Sequence, residues 1–208
     1  MNIMKMMCLF LVIVSFYGCT TMNQKECLSS DWYAVGYDDG YRGYTAVQFS
    51  KHHKACAKHG VTADFQTYQS GRAQGLMEFC KPKRAYQIGT QGKAYQGVCP
   101  ETMEQEFLNA YQAGKRLHKM KAEINSIHSV IRAKQKELSE IKLELETNSE
   151  LLVSEGVSVL QRGQLLKEIL ELTEIQELLE DEIHSLIHKK SSLERQHANY
   201  QESRQNIY

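Results

Sequence analysis

The stretch Leu165-Leu166-Lys167-Glu168-Ile169-Leu170-Glu171-Leu172 decides the architecture. Leucine returns every seven residues at Leu165, Leu172, Leu179, Leu186 and Leu193, and Tyr200 continues the series. Ile169, Gln176, Ile183, Lys190 and His197 stand four beyond each of the first five. Residues spaced alternately four and three apart share one stripe of a helix, and an apolar stripe needs a second helix to cover it. The same rhythm exists upstream. Leu117, Ile124, Ile131, Leu138 and Leu145 recur at seven, with Met120, Ile127, Lys134 and Ile141 at the offset of three. The polar run Thr147-Asn148-Ser149 and the pair Glu155-Gly156 bracket the natural break. The pattern predicts an antiparallel coiled-coil hairpin over 115–208 with its turn at about 147–157. Helices of ~33 residues would each reach about 50 Å at 1.5 Å per residue. A turn there sets Ile131 beside Leu172 and Leu138 beside Leu165. It also puts Leu151, Leu152 and Val153 at the tip, as a partner contact or as local turn packing.

Working outward, the composition changes sharply near Gly114. Lys115–Tyr208 contains no Cys, Pro, Trp or Phe and carries 14 Lys+Arg against 16 Asp+Glu. Thr20–Gly114 holds 13 of the 18 aromatic residues, which marks a different kind of module. The whole chain has 208 residues and a formal net charge of zero. That balance removes the electrostatic reason to expect a nucleic-acid partner. Mean hydropathy of -0.48 is too polar for a multi-span membrane protein.

The 27–114 segment repeats a phrase: Tyr33-Ala-Val-Gly36, Tyr68-Gln-Ser-Gly71, Tyr86-Gln-Ile-Gly89 and Tyr111-Gln-Ala-Gly114. Further glycines follow at Gly40, Gly75 and Gly92. On a helix, Tyr and Gly three apart share a face, as do glycines four apart. A ring beside a bare backbone strip invites another helix to approach closely. The repeats are irregularly spaced, which rules out a solenoid. Helix starts are expected at Ser30, before Asp31-Trp32, and at Thr62, before Asp64. Lys81-Pro82 and Cys99-Pro100 read as breaks, with Pro100 suited to a first helical turn.

The N-terminus reads as an address. Lys5 precedes an apolar run from Met6 to Val14, long enough for a signal-peptide core and too short to span a bilayer. Its end, Phe16-Tyr17-Gly18-Cys19, resembles the lipobox of bacterial lipoproteins, in which the cysteine is acylated and becomes the new N-terminus. This divides the chain into a signal at 1–18, a lipidated tether at 19–26, the module at 27–114 and the hairpin. Thr20 in place of Asp points, by analogy with Gram-negative sorting, to the periplasmic face of the outer membrane. Export leaves Cys27, Cys56, Cys80 and Cys99, an even set that reads as two disulfides in an oxidising compartment. Three pairings are open. Cys27–Cys56 with Cys80–Cys99 is preferred, because each bridge then staples a local helical pair. No Cys-x-x-Cys spacing supports zinc.

His52, His53 and His59 fall on one short basic helix near Asp38 and Asp39, and are expected to be solvated rather than metal-bound. His184 and His188 lie four apart but outside the heptad seam. Asp38 and Asp39 point apart as neighbours do, and no partner base is evident. No nucleophile elbow, phosphate loop or dinucleotide fingerprint occurs. No catalytic residue, metal site or cofactor is therefore assigned.

Asp31-Trp32 with Gly36, Asp39-Gly40 and Gly43, then Tyr68-x-x-Gly71-Arg72-x-x-Gly75-Leu76, Cys80, Tyr86-x-x-Gly89 and Tyr95-x-Gly97-Val98-Cys99-Pro100 resemble the domain of unknown function 2799. The resemblance covers roughly 27–114. It implies a short, uncharacterised proteobacterial lipoprotein module and transfers no catalytic residue. The long C-terminal extension departs from it.

The sequence thus predicts an all-α chain: a small disulfide-stapled helical module, then the hairpin. Its expected role is that of a non-enzymatic envelope lipoprotein, held to the membrane by its N-terminal lipid and contacting an envelope protein through the coiled coil. Two alternatives stay open. One is a small envelope hydrolase or peptidoglycan-binding protein using the Tyr/Gly-rich module. The other is an oligomer whose heptads pair between chains. A cleft gathering Asp38, Asp39, Tyr68 and Arg72 would favour the first alternative.

Overall fold

Helices begin where the sequence offers a side-chain oxygen or a proline. The computed structural model describes residues 22–205 and 207–208 and contains seven helices and no strand among them. They are α1 (Gln24–Leu28), α2 (Trp32–Tyr41), α3 (Val47–Ala57), α4 (Phe65–Phe79), α5 (Pro82–Thr90), α6 (Glu101–Val153) and α7 (Val159–Gln205). Asn23 and Glu26 close a reciprocal capping box at α1. Asp31 caps α2 by accepting from the Tyr33 and Ala34 amides, and Asp64 caps α4 by accepting from the Thr67 amide. Both starts differ from the expected Ser30 and Thr62. A carboxylate satisfies the free amides of a first turn and complements its positive dipole end, so the aspartates take the position. Pro82 is the first residue of α5 and Pro100 immediately precedes α6, where a missing N–H costs nothing.

The chain divides into two units. One runs to Ala85 and adds Ala94–Leu108; the other comprises Tyr86–Lys93 and Asn109–Tyr208. In the first, Cys27–Cys56 joins α1 to α3, and Cys80–Cys99 joins the end of α4 to the segment before α6. These are the pairings preferred from sequence. Met22, Ala55 and the first bridge form a core under Trp32, Val35 and Val61. Phe107, fully buried, stacks on Phe79 and on Tyr95.

The repeated phrase works in pairs. In the first unit α2 crosses α4 so closely that a Cβ on Gly36 would overlap the Tyr68 carbonyl, and one on Gly71 would overlap the Tyr33 carbonyl. One turn on, Gly40 meets the Arg72 carbonyl and Gly75 the Tyr37 carbonyl. The second unit repeats the construction. Gly89 of α5 lies against the Tyr111 carbonyl of α6, and Gly114 against the Tyr86 carbonyl. Repeats one and two therefore embrace each other, as do repeats three and four.

In the second unit α6 and α7 pair along the predicted seam. The inward positions Ile127, Ile131, Lys134, Leu138, Ile141, Leu145 and Asn148 alternate at four and three, all buried or half-buried. So do Leu165 through Tyr200 on the heptad positions of α7. The register differs from expectation. Ile127 and Ile131 cluster with Ile183, not with Leu172, and Lys134 reaches Glu182 across the seam at 2.6 Å. The cause is the turn. α6 continues as helix through Thr147-Asn148-Ser149 to Val153, and the chain reverses over Ser154–Ser158. The hydroxyls of Thr147 and Ser149 bond back to Leu143 and Leu145 carbonyls, which lets these residues stay helical. Gly156, at φ +84°, takes the left-handed step after the helix end. Ser158 and Gln161 then form a capping box for α7. Arg162 fastens the turn, its guanidinium donating to the carbonyls of Leu152, Ser154 and Val157. α6 also starts at Glu101, so its 53 residues extend about 80 Å, longer than the sequence estimate.

This register is open to direct test. Cysteines replacing Ile131 and Ile183 should crosslink within one chain in dilute protein, seen as an unchanged monomer mass with both new thiols consumed. Crosslinking of residues 131 and 172 instead, or only dimers, would contradict it.

Candidate functional site

The first unit buries three polar side chains together. Asp39 comes from α2, His52 from α3 and Tyr68 from α4, and they are only 4%, 6% and 1% exposed. The Tyr68 hydroxyl donates to Asp39 Oδ2 at 2.7 Å, and His52 Nε2 lies 2.9 Å from the same oxygen. An isolated carboxylate in such surroundings would be very costly, so these two partners are what make its burial tolerable. Phe49 and His52 both lie against the Tyr68 ring, while His52 Nδ1 has no hydrogen-bond partner. Burial, reinforced by the bond to Asp39, pushes the Tyr68 hydroxyl far above the ordinary tyrosine range. The phenol therefore keeps its proton. A nucleophile or base needs the opposite shift and an open approach, and this oxygen has neither. The arrangement suits a buried bracket that ties α2, α3 and α4 together.

The remaining candidates disperse. Asp38 faces outward to Arg42 at 2.9 Å. Arg72 donates to the Tyr44 carbonyl and does not join the network. Asp39 and Tyr68 thus meet inside the helix packing, without a cleft that also gathers Asp38 and Arg72. His53 and His59 are exposed, His53 stacking on Phe49. The expectation that all three histidines are solvated fails for His52, whose position on the inner face of α3 only the tertiary packing reveals. His184 and His188 are exposed, their rings 4.5 Å apart along α7. Among the described residues no group of three or more His, Cys, Asp or Glu side chains could hold a metal ion. Cys19 lies outside the described residues. Among those described, no helix is long and apolar enough to cross a membrane.

At the hairpin tip the triplet divides. Leu151 and Val153 are exposed, while Leu152 turns partly inward and its carbonyl receives Arg162. Val159 and Leu160, in the first turn of α7, are more exposed still, at 88% and 75%. These two lie outside the tip expected from sequence, because the turn falls later than 147–157 suggests. The Ser158-x-x-Gln161 box was the signal that could have located them.

Residues 31–116 match the family model described as Protein of unknown function (DUF2799). That segment is a domain of this family. No curated protein and no solved structure matches the chain.

The bracket makes a stability prediction. Tyr68→Phe keeps the ring but deprives buried Asp39 of a donor, which should lower unfolding stability in urea by about 1–3 kcal/mol. A variant as stable as the parent would show that the bond contributes nothing.

Proposed function

We propose that the chain, whose residues 31–116 form a DUF2799 domain, is a non-enzymatic envelope lipoprotein that presents a helical hairpin to a protein partner. In this reading Cys19 carries the lipid that holds it to the periplasmic face of the outer membrane. The four remaining cysteines, all bridged, fit an oxidising compartment.

The observation that carries the reading is the tip. Leu151, Val153, Val159 and Leu160 are four exposed aliphatic side chains around a turn fixed by Arg162, Gly156 and a capping box. A turn serving only to reverse the chain needs the fastening and not the apolar surface. Exposed apolar groups gathered on a firmly held element are the usual mark of a contact surface. Lys134–Glu182 and Lys142–Glu180 pair α6 with α7, as the hairpin requires. The burial of Asp39 and Tyr68 speaks against the hydrolase alternative.

Cell fractionation tests the anchor and in-cell photocrosslinking tests the tip. The parent should sediment with membranes and Cys19→Ser should not. A photoreactive residue at Val153 should yield a discrete protein adduct, and one at exposed Glu144 should not. Membrane association unchanged by Cys19→Ser would overturn the lipoprotein reading. Failure to crosslink at Val153 would overturn the tip as the contact.

A further inference from the structure

The second unit contains a cleft of about 310 Å³ where α5, α6 and α7 meet. Its nitrogen-bearing side chains come from different helices: His118 and Lys121 from α6, His197 from α7. None of the described residues that line it is acidic. Tyr86 of α5 and buried Leu117 supply an aromatic and an aliphatic wall, and Thr90 and Gln201 add neutral polar groups.

Several of these groups are positioned and left with unused capacity. His118 Nδ1 lies 3.2 Å from the Thr90 carbonyl, which only accepts, so that nitrogen bears the hydrogen and Nε2 is left as an acceptor, suited to a ligand hydroxyl. The Tyr86 hydroxyl is buried with no hydrogen-bond partner, and its ring stacks on Tyr208. Beside it, Arg204 has a buried Nε that is likewise unpartnered. Arg204 and Arg116 also lie over the Tyr200 ring, at 5.1 and 4.9 Å, which keeps two further cations at this end of α7. Buried polar atoms without partners are uncommon and call for an explanation. Here they accompany a cavity that Lys121 and two histidines line and no described acidic residue does.

The geometry points to a binding site for a small organic phosphate. Point-like donors arriving from separate helices suit a tetrahedral anion, whereas a planar carboxylate is best matched by an arginine fork, and none of the described residues lining the cleft is an arginine. Lys121 and His197 hold the phosphate, while His118 Nε2 accepts from a hydroxyl of the attached group. The Tyr86 and Leu117 walls take an apolar face of the attached group, with Thr90 and Gln201 for its hydroxyls. The volume accommodates a phosphate with one six-membered ring. The site lies in the hairpin unit but is independent of the tip and of the anchor, so it stands or falls separately from the function proposed above.

Calorimetric titration of the purified full chain tests this with glucose 1-phosphate as a monoester probe and glycerophosphoinositol as a diester probe. Glucose and acetate serve as controls. The expected result is saturable binding of a phosphate probe, at least tenfold weaker in Lys121→Glu and unchanged in Lys167→Glu, with neither control binding. Preference for the monoester assigns a free phosphorylated metabolite; preference for the diester assigns a lipid headgroup. Thermal melts confirm that both variants fold. Binding of neither probe, equal binding of acetate, or affinity unaffected by a folded Lys121→Glu variant would overturn the proposal.

Discussion

A backbone carbonyl resting on a glycine of the facing helix is the contact from which each unit is built. It occurs at Gly36, Gly40, Gly71 and Gly75 in one unit and at Gly89 and Gly114 in the other, and in each unit it is reciprocal. Glycine in a helix interior is unfavourable by roughly 0.5–1 kcal/mol relative to alanine. The compensation is a backbone approach that no residue with a Cβ permits, bringing the dispersion and Cα–H···O contacts of close packing. Short helices such as α2 and α5 gain little from propensity alone. The crossings hold them, and the two disulfides and the Asp39–His52–Tyr68 bracket secure the remaining helices of the first unit.

The hairpin rests on a different constraint. Its seam is largely apolar, but Lys134 and Asn148 on α6 and Gln176, Lys190 and His197 on α7 interrupt it. Lys134 finds Glu182 in only one register, as Lys142 finds Glu180. Polar residues in a seam select among alignments that leucines alone would leave nearly equivalent. The turn makes the same selection, since Gly156, Ser158 and Arg162 fix where α6 ends and α7 begins.

Much of this was legible. The heptads of Leu117–Leu145 and Leu165–Tyr200 identified two paired helices, because a period of seven sustained over several turns has few other readings. The four Tyr-x-x-Gly phrases announced close helix packing, and local stapling chose the correct cysteine pairs. What failed was placement. Thr147-Asn148-Ser149 looks like a turn by composition, yet hydroxyls bonding to their own helix keep it in α6. With the reversal at Ser154–Ser158 instead of from Thr147, Ile131 meets Ile183 and not Leu172. Which glycine repeat embraces which is a long-range fact, and so is the burial of His52 among three exposed-looking neighbours. The cleft lined by Tyr86, His118, Lys121 and His197 draws on three helices and leaves no motif in the sequence.

Gly114 and Gly163 separate the central claim from any general effect of glycine. Both are helical and both belong to the second unit, but a Cβ on Gly114 would strike the Tyr86 carbonyl, and one on Gly163 would meet open space. Thermal unfolding of Gly114→Ala and Gly163→Ala, followed by circular dichroism, compares them directly. Overpacking should lower the midpoint of Gly114→Ala by at least ~2–4 °C. Gly163→Ala should hold or raise its midpoint, as alanine favours the helix. A Gly114→Ala variant as stable as Gly163→Ala would contradict the account.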